Sequence, residues 1–174
     1  MIHRGLLVGR FQPPHLGHLE LINHILKDVD ELIIAVAASQ LSHSEKNPFT
    51  AGERITMIRM MLHNANVDLS KILIIPTNDI KDNSLWVSHL KRLIPSFSTF
   101  YSNNPFTRML FEEAGISVLS TPFFDRTNLQ ASKVRQLLYD NLDASKFLDD
   151  SVQTYLDHKY FKNRFKGINE TDKK

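Results

Sequence analysis

The sequence predicts a doubly wound α/β domain: a five-stranded parallel sheet with helices on both faces and extra helices at the carboxyl end. Two observations carry this prediction. Short runs rich in Leu, Ile and Val alternate about five times with longer segments whose apolar residues recur at helical spacing. The runs ELIIAVAAS and KILIIPT are also nearly continuous in apolar residues, as strands covered on both faces must be.

Taken in order, the strand candidates are GLLVGRF, ELIIAVAAS, KILIIPT, STFYSN and ISVLSTP. The first crossover helix presents Leu19, Ile22, Ile25, Leu26 and Val29 on one face, a stripe suited to a sheet. The second opens at Thr50-Ala51-Gly52-Glu53. There the Thr hydroxyl and the Glu carboxylate satisfy exposed backbone N–H groups reciprocally, and Ile55, Ile58 and Leu62 form the expected buried stripe. A third helix is expected near Ser84. A fourth starts at Asn104-Pro105, a cap followed by proline at the first helical position, and ends at Gly115. Two more follow, over Ser132–Asn141 and Ser151–Phe161. With 174 residues and 42% hydrophobic composition the chain has material for one core. The expected organisation is a single domain over 1–162 and a basic, frayed tail over 163–174.

Composition narrows the chemistry. The absence of cysteine rules out disulfides, thiolate-bound zinc and a cysteine nucleophile. A formal net charge of +2 is too small to suggest a polyanion partner. The amino-terminal MIHRGLLVGRF resembles neither a signal peptide nor a membrane span. A cytoplasmic protein that binds neither nucleic acid nor membrane is expected.

Sheets of this kind bind ligands at the carboxyl ends of their strands. Function is therefore expected in Arg10–His18, Ser39–Phe49, Thr77–Trp86, Ser102–Asn104 and Pro122–Ser132. The stretch GRFQPPHLGH follows the first strand and precedes the first helix, where backbone N–H groups and a helix N-terminus face an anion. It lacks the glycine spacing of a dinucleotide fingerprint, and the chain contains no GxxxxGK. His15 and His18 stand three residues apart on one face near the helix start, while Gly17 leaves room for close approach and Pro13 and Pro14 stiffen the entry. An HxxH pair also suits a transition metal, but zinc needs three or four protein ligands and no third is evident nearby. Glu53 and Arg54 are expected to serve the second helix. His43 is either a loop residue or a phosphate contact. Asp79 is either a turn-former or a contact to ribose or magnesium.

GRFQPPHLGH resembles the HxGH motif of nucleotidyltransferases with a Rossmann-like fold, in its GRFQPxHxGH form. Four more stretches, in order, extend the likeness to the archaeal nicotinamide-nucleotide adenylyltransferases: SQLSHSEKNPFTAGER, NDIKDNSLWVSHL, YSNNP and SKVR. The resemblance implies transfer of AMP from ATP to nicotinamide mononucleotide (NMN), with Mg2+, giving NAD and pyrophosphate. It implies catalytic roles for Arg10, His15, His18 and Arg135, and an ATP site of Gly9, Arg10, Phe11, His15, Gly17, His18, Asn103, Ser132 and Arg135. For NMN it implies Ser39, Lys46, Ile80 through its main chain, Asn83, and Trp86 against the nicotinamide ring. Trp86 also suits a place in the core, the lesser reading. No protein metal ligand is assigned, and a homohexamer is implied. Because a phosphomonoester has its second pKa near about 6, the attacking NMN phosphate needs no protein base, and the histidines are expected as hydrogen-bond donors.

Two departures stand out. Gln130-Ala131-Ser132 replaces the Ser-Gly-Thr common in the family, and Lys46 stands where relatives carry arginine, keeping charge but losing bidentate geometry. The acceptor loop around Trp86 separates this reading from sister transferases acting on nicotinate mononucleotide, FMN or phosphopantetheine. Retention of both histidines and both arginines argues against a non-catalytic nucleotide sensor.

Overall fold

The computed structural model describes residues 2–122 and 131–171. Two compact units emerge, each drawn from three separated stretches: Met1–Arg10, Leu21–Ser39 and Asp68–Pro122 in the first, Phe11–Glu20, Gln40–Val67 and Phe123–Lys174 in the second.

The first unit holds the sheet. Strands β1 (Arg4–Gly9), β2 (Glu31–Val36), β3 (Ile72–Pro76), β4 (Thr99–Tyr101) and β5 (Ser117–Leu119) are all parallel, in the order β3-β2-β1-β4-β5. The chain winds outward from β1 to β3, then returns to the other side of β1. The topological switch therefore falls between β1 and β4, where a crevice opens beyond the strand ends.

Register aligns Leu73, Ile33, Leu6, Phe100 and Val118 in one row across the sheet. Helices α3 (Trp86–Leu93) and α4 (Pro105–Glu113) cover that row with Val87, Leu90 and Phe111, joined by Ile94 at the α3 C-cap. Each such side chain contributes about 1.5–3 kcal/mol on burial. On the opposite face Gly5 is dictated by its neighbours: a Cβ there would lie 3.0 Å from Tyr101 and 3.1 Å from Val29. β4 and β5 are shorter than their apolar runs suggest. After Tyr101 the chain turns at once into the α4 cap, where the Asn104 side chain accepts hydrogen bonds from the Phe106 and Thr107 N–H groups.

Helix α1 (Leu16–Ile25) begins in the second unit's stretch of chain and continues into the first unit's. The second unit also holds α2 (Ala51–Asn64), α5 (Ala131–Tyr139), α6 (Asp150–Leu156) and α7 (Lys159–Thr171). The capping box of α2 is present: the Thr50 hydroxyl accepts from Glu53 N, and the Glu53 carboxylate accepts from Thr50 N. Its buried face consists of Arg54, Met57, Ile58, Met61 and Leu62, with Ile55 only half-buried, so the face is rotated from the one expected. The methionines, flexible enough to fill irregular gaps, take the place of the β-branched residue. Among the described residues no helix is long and apolar enough to cross a membrane.

The carboxyl end differs from expectation. Instead of one helix over Ser151–Phe161 and a frayed tail from 163, α6 is capped by Asp149 and α7 runs to Thr171. Phe161, Arg164, Phe165 and Ile168 recur at helical spacing and are buried, whereas the lysines that give this segment the look of a solvated tail are exposed. Arg164 makes a fork with Glu53, Nη1 to Oε2 at 2.7 Å and Nη2 to Oε1 at 2.8 Å, and also donates to the Pro48 carbonyl at 3.0 Å. Burial pushes the Glu53 carboxyl up, but the Arg164 fork and the Thr50 hydrogen bonds outweigh it and hold the group below its ordinary value. Arg164→Ala leaves that carboxylate partly buried without its fork and should cost about 2–3 kcal/mol in urea unfolding. Arg164→Lys, which keeps the charge, should recover part of the loss.

Candidate active site

In the first unit the crevice between the β1 and β4 ends is a cleft of about 440 Å³, lined by residues including Gly9, Arg10, Ala37, Asp79, Ile80, Asn83, Trp86, Ser102 and Asn104. Backbone hydrogen bonds tie together the chain just past the neighbouring strand ends: Ala37 N to Gly9 O at 2.9 Å, Thr77 N to Val36 O at 2.9 Å, and Ser39 N to Thr77 O at 3.1 Å. Ala38 takes a left-handed conformation (φ 50) and is fully buried; its N–H donates to Asp79 Oδ1 at 3.2 Å. Such a conformation is rare for a residue with a side chain, and Asp79 supplies a partner for the N–H it turns inward. The Asn78 carbonyl is in turn held by the His89 ring of α3, at 3.0 Å from Nε2.

Trp86 opens α3 and is half-buried. Its ring meets Phe111 edge-on at 5.6 Å, and Phe111 stacks on Phe100 at 3.8 Å. The indole thus packs against the core cluster, and the residue also lines the cleft. Asn103 is placed differently from its neighbours Ser102 and Asn104. Its Nδ2 donates to Thr121 O and Oγ1 and its Oδ1 accepts from Thr121 N, a bridge between the segments after β4 and β5.

In the second unit the loop Phe11–His15 leads into α1. Phe11 is buried at φ 49, and the Gln12–Pro13 peptide is cis. His15 stands just before the helix, its carbonyl accepting from His18 N at 2.8 Å, while its own N–H donates to His18 Nδ1 at 3.2 Å. With Nδ1 accepting, the proton of a neutral His18 resides on Nε2. The two rings lie 3.8 Å apart, and Phe11 packs on His18 at 4.6 Å. Burial lowers the His15 pKa to about 4. Burial and the adjacent His15 hold His18 well below the usual imidazole range. The pair is therefore neutral near pH 7. His15 Nδ1 is buried and has no protein partner.

Gln12 is the residue sequence reasoning missed. Buried between Phe11 and Pro13, its Nε2 donates to Phe49 O and its Oε1 accepts from Phe49 N, both at 3.0 Å. Its carbonyl accepts from Arg135 Nη1 at 2.9 Å. One turn along α5, Tyr139 donates to Glu45 O at 2.8 Å and Ser44 O at 3.3 Å. Arg135 and Tyr139, four positions apart on one helix face, thus fix the histidine loop and the loop carrying Lys46. The only sequence signals were an amide flanked by apolar residues and that spacing. Ser132 and Lys46 are exposed, Gly17 lies in the first turn of α1, and Ser39 is half-buried just after β2. His43 is an exposed turn residue (φ 56) paired with Ser42 Oγ. Gln130 lies outside the described residues; Ala131 opens α5. Among the described residues no cluster of three or more His, Asp or Glu side chains is suited to a metal.

Residues 6–137 match the model of the cytidylyltransferase-like family. A protein of Caldivirga maquilingensis named nicotinamide-nucleotide adenylyltransferase is 45% identical over 135 residues, 78% of this chain and 76% of its own length. One of Methanolobus tindarius with the same name is 39% identical over 172 residues, 99% of this chain and 98% of its own. Among solved structures, a bifunctional NMN adenylyltransferase/ADP ribose pyrophosphatase from Francisella tularensis, complexed with AMP and a manganese ion, is similar with TM-score 0.81 and 21% identity. That match covers 99% of this chain, which spans only 53% of the bifunctional protein, and it establishes the fold.

The low pKa of His15 has a stability consequence. An unfolded chain takes up this proton near pH 6.5, the folded one only near pH 4, so the unfolded state binds more protons in between. His15 therefore costs no stability above that window, and stability falls by up to about 3 kcal/mol as pH drops through it. Denaturation curves from pH 8 to pH 4 should show this slope, and His15→Gln should flatten it.

Proposed function

The chain belongs to the cytidylyltransferase-like family and, within it, to the nicotinamide-nucleotide adenylyltransferases, and from that premise we propose that it transfers AMP from ATP to NMN. The observation that carries the reading to this chain's own residues is the neutral, closely packed histidine pair, with His18 Nε2–H defined as a donor by the hydrogen bond at Nδ1.

In the reaction an oxygen of the NMN 5′-phosphate forms a bond to the α-phosphorus of ATP as the bond from that phosphorus to the β-bridging oxygen breaks. Pyrophosphate leaves with the electron pair. The nucleophile is already ionised, so no proton has to be removed, and catalysis reduces to alignment and stabilisation of phosphate charge. Neutral imidazoles suit that role because they donate hydrogen bonds without the cost of burying a cation before substrate arrives. Permanent charge comes from Arg10 and Arg135, and Ser132 adds a hydroxyl at the start of α5. Asn103 belongs to this ATP set through its bridge to Thr121, which holds the chain beside Ser102 and Asn104.

For the acceptor, the ring lies in the cleft against Trp86, where an indole face favours a cationic pyridinium by about 0.5–2 kcal/mol. Ile80 and Asn83 read the carboxamide; Ser39 and Lys46 serve the NMN phosphate and ribose. Mg2+ enters as part of the MgATP substrate, held by its phosphates. The resemblance further supports a cytoplasmic homohexamer whose reaction involves neither nucleic acid nor membrane.

Purified protein given MgATP and NMN should release NAD and pyrophosphate in equal amounts, separated by chromatography. Product from FMN or phosphopantetheine alone would move the assignment to a sister enzyme, and ATP binding with no pyrophosphate under any acceptor would make the protein a sensor. His18→Ala should lower kcat by about 100-fold, the scale of one lost transition-state donor, with little change in NMN affinity.

A further inference from the structure

Nicotinamide and nicotinate mononucleotides are nearly identical in size and shape. Both carry a cationic pyridinium; they differ in a neutral carboxamide against a carboxylate. Packing discriminates poorly between isosteres, so a site that separates these two does so by hydrogen bonding to the carboxamide and by charge. Among the described residues that line the first unit's cleft, Asp79 is the one carboxylate and Arg10 the one cation.

Asp79 is held in place. Its Oδ1 accepts the N–H of Ala38, a fully buried residue in the left-handed region, and swinging the carboxylate away would break that hydrogen bond. The preceding residue is held by His89 through the Asn78 carbonyl. Ala37, next to the anchored residue, lines the same cleft, as does Trp86. A fixed, half-buried carboxylate in a cleft acts through a lower effective dielectric than water.

Resting on the adenylyl-transfer reading of this site, we infer that Asp79 is the specificity-determining residue that selects the nicotinamide over the nicotinate form of the acceptor. Its charge attracts the pyridinium of both, and opposes only the acceptor that brings a second negative group to the ring. The device is repulsive as well as attractive. It does not depend on Arg10, whose charge is shared with phosphate in the proposed reaction.

The test compares kcat/KM for NMN and for nicotinate mononucleotide, with MgATP saturating, in the wild-type protein, Asp79→Asn and Asp79→Ala. The wild type should favour NMN. Asp79→Asn retains an oxygen that accepts the Ala38 N–H but loses the charge, so the ratio of the two efficiencies should narrow by about tenfold, the scale of one screened like-charge contact. Asp79→Ala removes anchor and charge; KM should rise for both acceptors and the ratio should narrow similarly. A purely structural role predicts a wild-type ratio in Asp79→Asn, and that result overturns the inference, as does a wild-type preference for nicotinate mononucleotide. If Asp79→Asn fails to fold, the ratio in Asp79→Ala decides the same question. Wild-type protein that makes a dinucleotide from neither acceptor overturns the adenylyl-transfer reading itself, and the inference with it.

Discussion

In the second unit everything near the histidines depends on one buried amide. The Gln12 carboxamide pairs with both backbone groups of Phe49, as a neighbouring strand would, in a loop that belongs to no sheet. The pair is consequential because both partners are buried: an unmatched amide there would cost about 1–3 kcal/mol for each orphaned group. Phe49 in turn packs edge-on against Phe161 and Phe165 of α7. Pro48, beside it, accepts from Arg164, the residue that forks onto the α2 capping box. The carboxyl-terminal helix thereby stabilises the segment on which the histidine loop leans, and Arg135 closes the set from α5.

The first unit solves a different problem, that of placing a cleft where backbone groups are already satisfied. Because β1 is central, its carboxyl end is flanked on one side by the β2 exit and on the other by β4. Gly9 O, Val36 O and Thr77 O each accept from a residue just past a neighbouring strand, so these backbone groups are satisfied without side chains. The left-handed Ala38, next to Ala37 of the cleft lining, donates its N–H to Asp79. A core that stacks Phe100 on Phe111 and sets Trp86 against it fixes the indole from behind.

How much of this was legible in the sequence depends on the range of the interaction. Periodicity read the five strands, the α2 capping box and the Asn104-Pro105 start of α4, because each is written in residues a few positions apart. The ordered motifs also named the segments that carry the histidines, Trp86 and Arg135. What escaped detection was contact across distance: Gln12 with Phe49, Glu53 with Arg164, Tyr139 with Glu45. The tail departs from expectation for the same reason. Its lysines are local and conspicuous, whereas Phe161, Phe165 and Ile168 become a buried stripe only when another surface is supplied. The bridge from the Asn103 amide to Thr121, eighteen positions away, belongs with these contacts.

The histidine pair unites these threads. Two imidazoles 3.8 Å apart repel if both are charged, and burial disfavours even one charge. Neutrality is therefore built in, and with it the donor at His18 Nε2, because the backbone N–H of His15 occupies Nδ1. Each imidazole can then offer a hydrogen bond without a cation having been desolvated first. The direction of the His18 donor follows from the packing of Phe11, His15 and His18 as much as from the chemistry of the ring.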